Sequence, residues 1–274
     1  MPAPLIDIGI NLAHDSYDRD RAAVIERARA AGVAAMMVTG STLASSARAL
    51  ELCRQWPALL RATAGVHPHH AAEFGPAEHE ALAALCADPF HVAAGECGLD
   101  YYRNYSPPAA QRHAFAAQLE LAARHRKPVF LHEREAHADF IAILRDWLPR
   151  LPRAVLHCFT GTAAELEACL AAGLSIGITG WICDERRGQT LRALVQRIPD
   201  ERLMIETDGP YLLPRTIEPK PAHRRNEPMY LPAVLAAVAA ARRQEPAEVA
   251  RITTANSLRF FGLELTSTGL KPPD

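Results

Sequence analysis

The chain has 274 residues, 49% of them apolar, and its formal net charge at pH 7 is −1. A chain of this length and apolar content can bury a large core, and it fits one α/β barrel or two smaller domains. The near-neutral charge excludes a global positive field that would draw the protein onto nucleic acid. An anionic substrate must therefore be met by a local cluster.

Short apolar runs alternate along the chain with longer amphipathic or alanine-rich stretches. The apolar runs predict eight strands, near 5–10, 34–39, 61–66, 91–96, 128–132, 154–158, 174–178 and 203–207. The stretches between them predict helices at 18–31, 42–55, 77–87, 107–126, 136–147, 162–172 and 188–197, with two more at about 228–243 and 246–260.

Eight strand–helix units spaced by roughly 20 to 35 residues predict an α/β fold, a (β/α)₈ TIM barrel. A doubly wound nucleotide-binding sheet would need a Gly-x-Gly-x-x-Gly turn after the first strand, and the stretch 7–11 has none. We predict a single barrel domain over 1–263 and a disordered tail over 264–274.

The six cysteines form no Cys-x-x-Cys pair, and most lie in apolar segments. This pattern favours reduced thiols and a reducing compartment. The N-terminal residues resemble no signal peptide, and no apolar run approaches the roughly 18 residues of a membrane span. We expect a monomeric cytoplasmic protein without membrane association.

Four apolar strands each end in a side chain that can bind a metal, namely Glu96, His132, His157 and Asp208. In a barrel, the carboxyl ends of all strands face one mouth, so these side chains are predicted to converge. Two imidazoles and a carboxylate suit a divalent cation, and a second carboxylate can orient a water molecule or accept its proton.

Other polar residues lie near the same predicted mouth. His67 follows the third strand and is predicted to bind a phosphate oxygen or protonate a leaving group, whereas His69 and His70 are expected to face solvent. Asp7 and Asn11 belong to the first strand. Either can offer oxygen to a hard cation, but Asp7 can equally hold the barrel together through hydrogen bonds.

A late basic segment, Arg224, Arg225 and Asn226, follows the eighth strand. Barrels often bind phosphate in the loops after strands seven and eight, and arginine pairs well with phosphate oxygens. Glu227 lies beside the pair, so local salt bridges are an equally good interpretation.

Five motifs together resemble the TatD family of metal-dependent deoxyribonucleases. They are GVHPH at 65–69, GECGLD at 95–100, LHCFTG at 156–161, IETDGPYL at 205–212 and RRNEP at 224–228. The resemblance extends from Asp7 to about Gly262 and implies an amidohydrolase-type barrel. It also implies magnesium-dependent hydrolysis of phosphodiesters, often from a 3′ end, with manganese or zinc as other candidate cations.

The resemblance assigns the metal positions to Glu96, His132, His157 and Asp208, and places His67 and the 224–227 segment near substrate. We take Asp208, Glu96 and His67 as catalytic candidates. One departure concerns the first strand, where most relatives carry a His-x-His pair and this chain has Gly9 and Asn11. This departure argues against a strict two-metal mechanism.

These observations predict a divalent-metal-dependent phosphodiester hydrolase, a 3′-5′ exonuclease that acts on ends of single-stranded DNA or of RNA. Two alternatives stay open. One is a metal-dependent hydrolase of a small ester, amide or lactone, since a fold does not fix a function. The other is a barrel that serves as a non-catalytic scaffold.

Overall fold

A computed structural model describes residues 3–273, and over that range eight parallel strands form one sheet in chain order. The strands are Leu5–Ile10 (β1), Val33–Val38 (β2), Leu60–Ala64 (β3), His91–Asp100 (β4), Val129–Arg134 (β5), Ala154–Leu156 (β6), Ser175–Ile178 (β7) and Leu203–Ile205 (β8). The predicted (β/α)₈ barrel is confirmed.

Helices follow the strands around the outside of the sheet. They are Arg21–Ala30 (α1), Leu43–Gln55 (α2), Pro76–Ala87 (α3), Pro108–His125 (α4), His137–Trp147 (α5), Ala163–Ala171 (α6), Gln189–Leu194 (α7), Leu231–Arg242 (α8) and Pro246–Phe261 (α9). Local signals set their ends: the Thr42 side chain accepts the Ser45 N–H where α2 begins, and Gly262 ends α9 with a φ of +67°. Within residues 3–273, no helix is both long and apolar enough to cross a membrane.

The first and last strands meet and close the barrel. Asp208 N donates to Gly9 O at 2.8 Å, and Asn11 N donates to Gly209 O at 2.9 Å. The buried Asp7 carboxyl adds a side-chain link, because it accepts Thr207 N at 2.9 Å. Asp7 therefore acts as a structural connector between β1 and β8, the second of its two predicted roles.

Strand β4 is longer than predicted and continues past Glu96 to Asp100. In the pairing with β5, Gly98 lies opposite His132. Because side chains alternate along a strand, Glu96 and Asp100 fall on the same face, and both contact His132. The extension therefore brings a second carboxylate to the mouth.

The C-terminal tail was predicted to be disordered, but in the structure it contains a hairpin. Leu265–Thr266 (β9) and Gly269–Leu270 (β10) pair as an antiparallel hairpin. Leu270 is buried, and its N–H donates to Ala58 O at 2.7 Å, just before β3. The hairpin thus covers the amino end of the barrel, opposite the mouth. Residue 274, the last residue of the predicted tail, lies outside the described range.

Candidate functional site

The predicted strand-end side chains gather at the carboxyl end of the barrel. Glu96 lies in β4, His132 lies in β5, and His157 follows β6 directly. His67 joins them from the loop after β3. Asp208 stands beside this group in the loop after β8, with its own set of contacts.

Three imidazole nitrogens converge on one carboxylate oxygen, Glu96 Oε1. His157 Nε2 lies 2.8 Å away, His132 Nδ1 lies 3.1 Å away and His67 Nε2 lies 3.3 Å away. Burial alone would raise the pKa of Glu96, but the neighbouring imidazoles outweigh it and hold that pKa well below its ordinary value. The carboxylate is therefore ionised and can be balanced by protons on the imidazoles or by a divalent cation.

Two of the three rings have an outer carboxylate on their far side. His132 presents Nε2 to Asp100 Oδ2 at 3.5 Å, and His157 presents Nδ1 to Glu206 Oε2 at 3.5 Å. Each ring thus directs one nitrogen to Glu96 and the other to a buried acid. Metal-binding histidines are typically held in this way, so His132, His157 and Glu96 fit a divalent cation.

His67 has a different hydrogen-bonding pattern from the other two rings. Its ligand atom lies within 4.8 Å of those of Glu96 and His132, which by distance alone makes it a possible metal ligand. However, His67 Nδ1 accepts the His69 N–H at 3.1 Å, and burial lowers the pKa of His67 to about 4. A neutral ring that accepts at Nδ1 carries its proton on Nε2. His67 therefore fits a hydrogen-bond donor better than a metal ligand.

The prediction that His69 faces solvent is wrong. His69 Nε2 lies 2.8 Å from Asp100 Oδ2, and the Asp100 side chain is only 1% exposed. The Arg103 N–H also donates to Asp100, at 2.8 Å. Asp100 was missed because β4 was predicted to end at Glu96, although its spacing of four residues from Glu96 was a usable signal.

Glu206 was likewise missed, because it was taken as part of the last apolar strand. It is fully buried, and its Oε1 accepts the Cys158 N–H at 2.6 Å. Its carboxylate occupies space that two glycines leave open: a Cβ on Gly9 would lie 2.3 Å from Oε2, and one on Gly177 would lie 2.6 Å from Oε1. The absence of a side chain at Gly9 therefore leaves the space that the Glu206 carboxylate occupies.

Asn11, the second residue by which the first strand departs from the family pattern, contacts Asp208. Asn11 Nδ2 donates to Asp208 Oδ1 at 3.1 Å. Burial raises the pKa of Asp208 to about 7, and the nearby negative charges of Glu96 and Glu206 add to the rise. Asp208 is thus a half-buried acid beside the imidazole cluster, and its Oδ2 accepts no hydrogen bond from residues 3–273.

Within the late basic segment, the side chains of Arg225 and Asn226 make structural contacts, which favours the salt-bridge interpretation over their prediction as substrate ligands. Arg225 Nη2 donates to Asp20 Oδ2 and to Glu227 Oε1, each at 2.7 Å. Asn226 is fully buried, and its Nδ2 donates to Thr207 O at 2.8 Å. Both side chains are occupied by structural bonds, whereas Arg224 is exposed.

A parallel barrel with histidines and a carboxylate converging at its open end defines the class of metal-dependent barrel hydrolases. The family model for TatD related DNase matches residues 6–262. The chain belongs to this family.

Similar proteins support the assignment. The "3′-5′ ssDNA/RNA exonuclease TatD" of Erwinia tasmaniensis is 54% identical over 94% of this chain and 100% of its own length. The protein of the same name from Edwardsiella piscicida is 55% identical over the same shares. Among solved structures, a TatD homologue from Escherichia coli K12 matches with a TM-score of 0.87 at 27% identity, over 96% of this chain and all of that one.

Proposed function

We propose that this protein is a divalent-cation-dependent phosphodiester hydrolase that removes nucleotides from the 3′ end of single-stranded DNA or RNA. The observation that carries the proposal is the convergence of three imidazole nitrogens on Glu96 Oε1 at the mouth. The named activity of relatives that are 54% and 55% identical supports the substrate class and the polarity.

Glu96, His132 and His157 would hold the cation, with magnesium as the first candidate and manganese or zinc as others. When bound, such a cation polarises a phosphate oxygen and lowers the pKa of a water molecule. Asp100 and Glu206, each 3.5 Å from the outer nitrogen of one ring, favour the orientation in which these rings face Glu96. We assign no second cation, because Gly9 and Asn11 offer no imidazole.

Two further side chains would act on the substrate directly. His67 donates its Nε2–H to a phosphate oxygen, while its Nδ1 stays fixed by the His69 N–H. Asp208 accepts a proton at Oδ2, while Asn11 holds Oδ1. Arg224 remains a candidate for the phosphate next to the end, since its side chain is exposed beside the Arg225 anchor.

The unpaired and mostly buried thiols support an accompanying proposal, a cytoplasmic location. All six cysteines are free, and burial raises the pKa of Cys53 to about 12. Thiols of this kind are typical of a reducing compartment.

The test is release of mononucleotides from a single strand labelled at either end, with magnesium, manganese, zinc or a chelator. We expect stepwise shortening from the 3′ end that needs a cation. Glu96→Gln should slow it by more than about 100-fold, because loss of a ligand exceeds the roughly 10- to 100-fold effect of losing an outer partner. Glu120→Gln on the exposed face of α4 is the matched control and should cleave normally.

Near-normal cleavage by well-folded Glu96→Gln would refute the site. No cleavage by the wild-type protein with any cation would favour a small ester, amide or lactone as substrate. A purified protein that binds no divalent cation would instead favour a scaffold.

A further inference from the structure

An aromatic and cationic patch borders the mouth on the side of β4 and β5. We call Tyr102, Arg103, Tyr105 and Arg134 the tyrosine rim. The large hydrophobic side chains that are exposed within residues 3–273 are Tyr102, Tyr105 and Tyr211, at 53%, 65% and 53%. All three belong to loops at the carboxyl end of the barrel. Apolar surface is therefore left open where the imidazole cluster lies.

A series of ring contacts runs from the exposed Tyr105 to the imidazole cluster. Its ring lies edge-on to His69, with centroids 4.7 Å apart. His69 in turn lies 4.2 Å from His67, and His67 lies 4.5 Å from His132. A flat group resting on the open face of Tyr105 would thus be a short distance from the proposed cation site.

The loop that carries Tyr105 is fixed at both ends. Gln111 is fully buried; its Oε1 accepts Asp100 N at 2.8 Å, and its Nε2 donates to Ser106 O at 2.7 Å. Ser106 Oγ also donates to His69 O, at 2.9 Å. The exposed ring therefore sits on a held backbone, so it loses little conformational freedom when it is covered.

The rim also carries two arginines whose positive charge is not neutralised by an ion pair within the described range. Among residues 3–273, neither Arg103 nor Arg134 lies within ion-pairing distance of a carboxylate, whereas Arg187, Arg215 and Arg225 each pair with one. The Arg134 guanidinium covers the Tyr102 ring at 3.9 Å from its centroid. The β4–β5 side of the mouth therefore offers positive charge directly beside the exposed rings.

We propose that the tyrosine rim binds the unpaired strand next to the reacting end, with a base stacked on Tyr105 and backbone phosphates paired with Arg103 and Arg134. Exposed aromatic rings beside arginines suit single strands, because every unpaired base offers a flat face. In a duplex most of those faces are covered by neighbouring bases, so the rim selects unpaired ends. This inference rests on the proposed function and specifies its substrate-binding surface.

The test measures binding separately from cleavage. Fluorescence anisotropy with a short labelled single strand would be recorded in a Glu96→Gln background with magnesium. Tyr105→Ala should weaken binding by about tenfold or more, while Tyr105→Phe, which keeps the ring, should bind normally. Arg103→Ala and Arg134→Ala should each flatten the slope of log affinity against log salt by about 0.7. Arg54→Ala, far from the mouth on α2, is the charge-matched control.

A strand with abasic sites near its 3′ end separates stacking from charge. The wild-type rim should bind it more weakly than the normal strand, and Tyr105→Ala should bind the two equally. Equal binding of both strands by the wild-type rim would overturn the proposal. Normal binding by Tyr105→Ala would also overturn it. In that case the proposed function would still stand if the wild-type protein shortens strands. Weak binding by Tyr105→Ala in a protein that cleaves nothing would support the rim and refute only the exonuclease.

Discussion

At the scale of single residues, Asp7 is a buried acid whose proton matters to the fold. Its Oδ1 accepts Gly9 N at 3.2 Å and Thr207 N at 2.9 Å, and its Oδ2 contacts the Thr207 hydroxyl. Burial is the main cause that raises the pKa of Asp7 to about 7. The folded protein therefore holds a proton there that the unfolded chain releases near pH 4.

Asp7→Asn should stabilise the protein at pH 8 and have little effect at pH 4. Because the pKa of Asp7 is raised in the folded protein, its protonated carboxyl contributes fully to wild-type stability below about pH 4. That contribution is lost as pH rises through about 7. The amide keeps an acceptor for both N–H groups and a donor for Thr207. A shift of about three units corresponds to on the order of 4 kcal/mol. Urea unfolding of both proteins across this pH range measures the difference.

An equal stability difference at both pH values would contradict this account, and so would a loss of stability at pH 8. Exposed Asp146→Asn on α5 is a suitable control, and its effect should show no comparable change between pH 4 and pH 8.

The sequence revealed some of the site residues and concealed others. Glu96, His132, His157 and Asp208 were predictable because each follows an apolar strand, and barrel strands share a mouth. Glu206 was not, because its role depends on space left by Gly9, about 200 positions away in the chain. The structural contact of Arg225 was hidden for the same reason, because its partner Asp20 is 205 positions away.

At the scale of elements, a partly buried ion-pair network links the segment before α8 to α1. Glu227 is 2% exposed and pairs with Arg225 and with Arg27 Nε at 2.8 Å. Arg225 also pairs with Asp20, which precedes α1, and its hydrogen bonds are the main cause that lowers the pKa of Asp20 to about 2. The network therefore sets where the loop after β8 leaves the mouth.

Arg225→Ala should lower the free energy of unfolding by about 2–4 kcal/mol at pH 7, because it leaves a buried carboxylate with one partner instead of two. The loss should shrink as pH falls from about 4 to 2, since the lowered pKa of Asp20 makes its contribution present only above that range. Denaturant unfolding at pH 7 and near pH 3 measures both effects.

Arg251→Ala removes an exposed pair with Glu248 and should change stability little. If the two variants behaved alike, the Arg225 network would contribute no more than a surface pair.

Element boundaries followed the sequence closely where apolar runs were unbroken. The predicted strand 5–10 and helix 42–55 correspond to Leu5–Ile10 and Leu43–Gln55. Strand β4 was cut short because Glu96 and Gly98 interrupt the apolar pattern that marks a strand. Polar residues at the mouth interrupt the apolar pattern, so the full length of the strand that carries them cannot be predicted from that pattern.

At the scale of the whole molecule, the two ends of the barrel serve different purposes. The mouth carries the polar cluster, while the amino end is closed by the C-terminal hairpin. Leu270 packs there in a cluster with Met37 and Phe260, and the buried Arg61 donates to Lys271 O. The hairpin was not predictable from apolar periodicity, because each of its strands has only two residues.

Leu270→Ala should lower the free energy of unfolding by about 2–4 kcal/mol, the usual cost of truncating a buried leucine. Cation-dependent cleavage at the mouth should be unchanged at a temperature where the variant is folded. Thermal unfolding and the strand-shortening assay measure the two properties. Thr268→Ala at the exposed tip of the same hairpin is the control. Equal melting temperatures for the two variants would mean that the hairpin contributes nothing to the fold.

The close approach of Gly9 and Glu206 constrains which substitutions this site can accept during evolution. Any side chain at position 9 would meet the Glu206 carboxylate at its present position, and that carboxylate holds the ring of His157. A histidine at position 9 can be accommodated only if the carboxylate moves away. Substitutions at the two positions should therefore be strongly epistatic, and a first-strand imidazole should be gained only along mutational paths in which position 206 or its surroundings change first.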